Sequence, residues 1–197
     1  MGTPPNSLRS ARYGHRVSAP WRQPFEQALE RNAPQRELQV ATVSPEGVPS
    51  IRTVLLRGFT AEGFPYFYAD LRSRKANHLA ENSRIALLAW FPKSGEQFRL
   101  TGRATVHGRH AEGAFAELRR HGWQEIDQEE ALLYVGPPPG RTRVEQVVKE
   151  VPPAPPQEFV LVTVEVTDVD WLSVGPPKTR AGFRLIGAGW IQQSLNP

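Results

Sequence analysis

The sequence predicts a mainly β domain with short α-helices, an α+β protein built on a closed β-barrel with helical decoration. Three observations carry this expectation. β-rich runs recur at close spacing, separated by short turns that bear Gly or Pro. Short helical stretches sit between groups of strands instead of alternating with single ones, so the βαβ rhythm of a parallel sheet is missing. No segment of the chain repeats another.

The elements follow in order. Trp21, Phe25 and Leu29 recur at i, i+4, i+8 and mark one face of a helix over Pro20 to Asn32, with Pro34 as its stop. Glu37 to Ser44 is a strand and Pro45-Glu46-Gly47 its turn. Val48 to Phe59 reads as a second strand, and Phe64 to Ala69 as an aromatic third. Ser73, a good N-cap residue, opens a helix over Arg74 to Glu81. Arg84 to Phe91 has the composition of a buried strand. Glu96 to Val106 alternates cleanly through Phe98, Leu100, Gly102, Ala104 and Val106. His110 to His121 reads as a helix with Phe115 and Leu118 inward. Beyond it lie a Gly136–Gly140 loop, a helical turn or two over Val144 to Val151 and a stiff Pro152–Pro156 connector. A β-branched strand over Phe159 to Val166, extended by Val169 to Leu172, precedes a loop (Gly175 to Gly182) and a last strand, Phe183 to Ile191. The total is about seven strands and three or four helices.

A length of 197 residues implies one domain, or one domain with extensions. We read residues 1–17 as a mobile arm and 18–197 as a single domain. With 39% hydrophobic and 22% charged residues the chain is too apolar to be disordered. The absence of cysteine excludes disulfides, thiolate metal sites, iron–sulfur clusters and cysteine nucleophiles, and fits a reducing compartment. The longest apolar run, Ile85 to Phe91, falls far short of the roughly 20 residues a membrane helix needs. No signal-peptide pattern stands at the N-terminus, so a cytoplasmic protein is expected. The net charge is +4, with arginine outnumbering lysine 20 to 4.

Two features point to chemistry. Arg74 and Lys75 stand in the first turn of a predicted helix, where the positive end of the macrodipole repels cations. A bound phosphate would repair that conflict; a solvated pair of side chains would merely tolerate it. Arg52 interrupts a strand of Ile, Val and Leu that Arg57 closes. It either points to solvent or faces a cleft, where it needs an anion. His107 and His110 are three apart, but no third ligand completes a metal-site spacing, and both read as surface residues. No Walker loop, Gly-x-Gly-x-x-Gly or Gly-x-Ser-x-Gly is found, and no nucleic-acid reading motif. Neither nucleic acid nor a membrane is an expected partner.

Taken together, Arg52-Thr53-Val54-Leu55-Leu56-Arg57, Phe67-Tyr68-Ala69, Ser73-Arg74-Lys75-Ala76 and Glu96-Gln97-Phe98-Arg99-Leu100-Thr101-Gly102, in that order, resemble the pyridoxamine 5′-phosphate oxidase family of FMN-binding split barrels. Asp170-Trp171, Trp190 and Leu195-Asn196-Pro197 resemble its C-terminal region. The resemblance is to the oxidase-related subgroup more than to the biosynthetic oxidase, covers residues 20 to 197 and is dense from 37 to 107. It implies a homodimer with FMN at the interface. Arg52 to Arg57 would line the flavin, Tyr68 and Ala69 would contact it, and Ser73, Arg74 and Lys75 would hold its phosphate. Gln97 would reach the ring edge, and Trp171 and Arg180 would arrive from the other subunit.

The departures concern the substrate. Members that oxidise pyridoxamine or pyridoxine 5′-phosphate hold the substrate phosphate with Lys, Tyr, Arg and Ser groups. Here Arg57 takes the lysine position, the tyrosine position falls near Phe115, and Arg119 and Arg120 follow without an Arg-and-Ser pattern. The Arg-x-His that contacts the substrate ring is absent from Gly175 to Arg180, and the Gly136–Gly140 loop replaces a Gln-Ser pair. The resemblance therefore implies an FMN-dependent oxidoreductase taking hydride from a small molecule. That substrate is either pyridoxamine or pyridoxine 5′-phosphate or another compound. A non-catalytic flavin or haem binder on the same barrel is the third reading. No catalytic acid or base is identified.

Overall fold

The computed structural model describes residues 19–143 and 150–197. The expected arm, residues 1–17, and most of the helical turn expected over 144–151 lie outside the described residues. Among the described residues four helices and nine strands run in the order α1 (Arg22–Arg31), β1 (Glu37–Val43), β2 (Pro49–Leu55), β3 (Gly58–Phe59), β4 (Pro65–Asp70), α2 (Arg74–Glu81), β5 (Arg84–Phe91), β6 (Glu96–His107), α3 (Gly113–Glu125), α4 (Gln128–Val135), β7 (Phe159–Ser173), β8 (Thr179–Ile186) and β9 (Gly189–Leu195). Among the described residues no helix is long and apolar enough to cross a membrane.

All strands join one antiparallel sheet in the order β2-β1-β5-β6-β7-β4-β3, with β8 and β9 branching from β7. Alternation explains the inward face. Leu38 and Val40 on β1, Ile85, Leu87, Ala89 and Phe91 on β5, and Phe98 and Leu100 on β6 are buried. α1 plugs this core with Trp21, Phe25 and Ala28. Phe25 packs edge-on against Phe91 and Phe98, with centroids 5.6 and 5.1 Å away. A second cluster of Tyr68, Trp123, Ala131, Tyr134, Phe159 and Leu161 fastens α3 and α4 to β4 and β7.

The expected closed barrel is corrected: the sheet does not close. After Leu55 the chain leaves the ladder, with the Leu56 amide donating to Arg36 O at 2.8 Å. The Arg57 amide then reaches across to Tyr66 O, 2.9 Å away, and the chain continues as the short β3 against β4. The same departure splits the expected Val48–Phe59 strand into β2 and β3. At the other end, Gly187 adopts φ +60 and turns the chain. The expected Phe183–Ile191 strand is therefore a hairpin of β8 and β9. The helix expected over His110–His121 begins later, at Gly113, and α4 follows where irregular chain was expected. His107 is not a surface residue. It is half-buried, bonded to Thr163 Oγ1 at 2.9 Å and stacked on Phe115 at 4.1 Å.

Candidate functional site

Arg52 lies on the same side of β2 as the buried Val54 and Leu56 and is itself half-buried. Its guanidinium donates to Val40 O at 3.1 Å, Thr42 Oγ1 at 2.8 Å and Ser50 Oγ at 2.9 Å. All three acceptors are neutral, so the charge is held in place without being neutralised. Thr42 also meets His78 Nδ1 at 3.0 Å, which ties α2 to the same strand pair. Lys75 in α2 is half-buried, and its amine makes no hydrogen bond or ion pair among the described residues. Burial pulls its pKa below the ordinary lysine value, and the nearby Arg52 charge pushes the same way, opposed only by Asp70. Arg74 is exposed and also free of ion pairs among the described residues.

Ser73 occupies the N-cap position of α2, but its hydroxyl donates to Asp70 O at 2.6 Å and caps no amide. The first-turn amides thus have no side-chain acceptor. Two half-buried cations thus stand beside uncapped helix amides, a grouping whose chemistry suits an anion with several oxygens, such as a phosphate.

The other end of β2 differs. Thr53 and Leu55 point outward, whereas Val54 and Leu56 belong to the core, so those two positions can offer a ligand only their backbone. Arg57 ion-pairs with Glu130 of α4 and lies over the Tyr68 ring, 5.1 Å from its centroid. Burial raises the Tyr68 pKa, keeping the hydroxyl protonated. Above it α3 approaches at Gly122, where a Cβ would collide with the Tyr68 hydroxyl. Ala69 is buried next to Tyr68. Arg52 and Arg57 are five residues apart, at most about 17 Å of extended chain. That span suits an elongated cofactor with a phosphate at one end.

Gln97, Trp171 and Arg180 form a separate group. Gln97, Leu172 and Arg180 share one row across β6, β7 and β8. Trp171 stacks on Phe98, with centroids 5.8 Å apart, and its indole N–H donates to Glu96 Oε1 at 3.2 Å. Arg180 is clamped by Asp170 through bonds of 3.0 and 2.7 Å, and Asp170 also pairs with Arg99. The Arg180 bond, foremost, holds the Asp170 carboxyl below its usual pKa. Gln97, Trp171 and Arg180 lie three, four and five strand spacings from Arg52, about 14–24 Å along the sheet. One chain therefore assembles Arg52, Arg74, Lys75 and the β2 segment, and holds Gln97, Trp171 and Arg180 apart from them. Between the groups runs a groove of about 660 Å³ that includes Ala41, Ile51, Leu88, Arg99, Ile191 and Leu195. Ile51 and Ile191 are 68% and 54% exposed there.

A family model for the pyridoxamine 5′-phosphate oxidase FMN-binding domain matches residues 18–108. That span holds the whole anion seat and the β2 segment. A crystal structure of a pyridoxamine 5′-phosphate oxidase-related, FMN-binding protein from Nostoc punctiforme superposes with a TM-score of 0.82 at 30% identity, covering 91% of this chain and 98% of that one. The chain belongs to the pyridoxamine 5′-phosphate oxidase-related, FMN-binding family. The pyridoxine/pyridoxamine 5′-phosphate oxidase 2 of Arabidopsis thaliana is 29% identical over 194 residues, which is 91% of this chain and 98% of that protein. PhzG from Burkholderia lata, at 16% identity and a TM-score of 0.70, shares the split-barrel fold.

Within this family fold, several contributors to the site had no signal in the sequence. Thr42 and Val40 O brace Arg52 only because β1 and β2 pair with Val40 opposite Arg52. Glu130 reaches Arg57 across 73 positions of sequence. Arg72, between the Tyr68-Ala69 and Ser73-Arg74-Lys75 motifs, clasps Asp70 and donates to Gly136 O at 2.8 Å, pinning α4 to the start of α2.

Proposed function

We propose that this protein is an FMN-dependent oxidoreductase of the pyridoxamine 5′-phosphate oxidase type, which takes hydride from a small organic substrate. The observation that carries the reading is the pair of half-buried cations, Arg52 and Lys75, with no carboxylate partner among the described residues, beside the uncapped start of α2. These residues fit a flavin phosphate, with Arg74 adding a solvent-side charge and Ser73 shaping the turn. Thr53, Leu55 and the backbone from Val54 to Arg57 would line the flavin, and Tyr68 and Ala69 would support it. Bound FMN would supply the hydride acceptor. The chain's own residues bind, orient and neutralise. Tyr68 contributes a neutral hydroxyl beside the substrate end, and Arg57 with Glu130 fixes the wall there.

The separation of Gln97, Trp171 and Arg180 from the seat supports a homodimer in which a second chain brings them to the flavin. The apolar groove and the exposed Ile51 and Ile191 offer surface for that contact. A single domain over residues 18–197 and a cytoplasmic location belong to the same reading.

The test is anaerobic mixing of the FMN-saturated protein with reductants, pyridoxamine 5′-phosphate and pyridoxamine among them. Bleaching of the flavin band is the expected result. A flavin that no candidate reduces would leave a binding protein. Flavin affinity should also follow pH. It should rise as the phosphate takes its second charge, near pH 6. It should fall on the alkaline side, below the ordinary lysine range, as Lys75 loses its proton. The lowered Lys75 pKa sets that sign: the unliganded fold disfavours the charged amine, and a bound phosphate restores it. A fluorescence titration across pH reads both limbs.

A further inference from the structure

Arg52 is the first link in a chain of three side chains. Its Nη1 donates to Thr42 Oγ1 at 2.8 Å, and the same oxygen lies 3.0 Å from His78 Nδ1. A guanidinium offers no acceptor, so at the first contact the threonine oxygen accepts. The threonine proton must then go elsewhere. Thr42 is buried, and among the described residues His78 is the one other group its hydroxyl meets. The arrangement that leaves no buried donor unpaired has the Thr42 O–H donating to Nδ1, with the imidazole neutral and its own proton on Nε2. The reverse, with Nδ1–H donating, would give the oxygen two donors and strand the hydroxyl proton. The hydrogen bonds therefore run in one direction, from Arg52 through Thr42 to His78.

The place where this chain ends gives it a consequence. His78 stands on α2, three residues after Lys75 and on the same side of the helix. Arg52 and Lys75 are like charges, and after burial the Arg52 charge is the next cause that depresses the Lys75 pKa. Their repulsion pushes α2 away from β1 and β2, and the Thr42–His78 bond resists it. We propose that His78 is a positioning residue of the phosphate seat: as the last acceptor of this chain it fixes the Arg52 guanidinium and holds α2, with Lys75, beside it. The inference rests on the proposed FMN reading and names what keeps the cations of that seat together. A seat gathered in advance loses no binding energy to assembling its cations when the phosphate arrives.

The test reads phosphate recognition apart from recognition of the flavin ring, as the ratio of FMN to riboflavin affinity. The whole chain, freed of flavin by dialysis, is titrated by fluorescence at about pH 7.5, where the phosphate carries most of its second charge. His78→Leu should lower the ratio about fivefold, the loss of one ordinary hydrogen bond. His78→Asn, whose Oδ1 stands where Nδ1 does, should restore it to within about twofold of the parent. Thr42→Val should lower it about tenfold, because Arg52 loses a partner as well. Adding His78→Leu to Thr42→Val should then change it by less than about twofold, since the chain is already cut. A general loosening of α2 would instead lower the ratio in both backgrounds. A parent chain that binds no FMN, or binds it no better than riboflavin, refutes the phosphate seat and this inference with it. Where the parent prefers FMN, the role of His78 alone is overturned by any of three results. These are an unchanged ratio in His78→Leu, an equal loss in the Thr42→Val background, or no recovery in His78→Asn.

Discussion

The Arg52→Met, Lys75→Met double variant should fold and yet retain almost no FMN. Each cation would supply charge-assisted hydrogen bonds to the phosphate, worth about 1.5–3 kcal/mol apiece. Losing both should raise the dissociation constant by roughly 10²–10⁴-fold. The half-buried placement makes these bonds strong, because neither group is fully screened by water. Arg74 is exposed, so Arg74→Ala should weaken binding by about tenfold or less. Stability should change little. Arg52→Met leaves Val40 O, Thr42 and Ser50 without a donor, but the repulsion between Arg52 and Lys75 disappears as well. Flavin fluorescence titration beside a thermal melt separates the two effects. A double variant that binds FMN like the parent would remove the phosphate from this seat.

Gly102→Ala should be among the most damaging single substitutions in the fold. Gly102 stands in β6 where the register with β7 shifts between Thr101 and Gly102. A Cβ there would collide with the carbonyl oxygen of Glu165 and approach Val166 Cα to 2.9 Å. Both obstacles are backbone atoms in the most extensively paired part of the sheet, so no flexible side chain can yield. Overpacking of this kind costs about 3 kcal/mol or more. In a chain of this length that lowers Tm by roughly 6–12 °C. A melt of Gly102→Ala within 2 °C of the parent would show that the bulge relaxes. At Gly175, where an added Cβ meets nothing, the same substitution should have little effect.

Much of this was legible because it is local. Arg84–Phe91 and Arg74–Glu81 match their expected bounds, since burial on β5 and the amphipathic face of α2 are written in neighbouring residues. Arg52 and the Arg74-Lys75 pair stood out because each breaks a local rule, a charge in an apolar strand and cations at a helix start. The rest depends on non-local geometry. The open sheet follows from how Leu56 and Arg57 leave the ladder. The β8–β9 hairpin follows from one left-handed glycine, Gly187, inside a run that otherwise reads as strand. His107 looked like a surface residue until β7 brought Thr163 and α3 brought Phe115 against it. Glu130 neutralises Arg57 only through the docking of α4, which no periodicity near Arg57 announces.

The most direct test of the central claim compares FMN with riboflavin, which lacks only the phosphate, on the dialysed protein. If Arg52 and Lys75 form the phosphate seat, FMN should bind one per chain and at least 100-fold more tightly than riboflavin. Equal affinity for the two would contradict the account, because the unpaired cations would then have no part in holding the flavin.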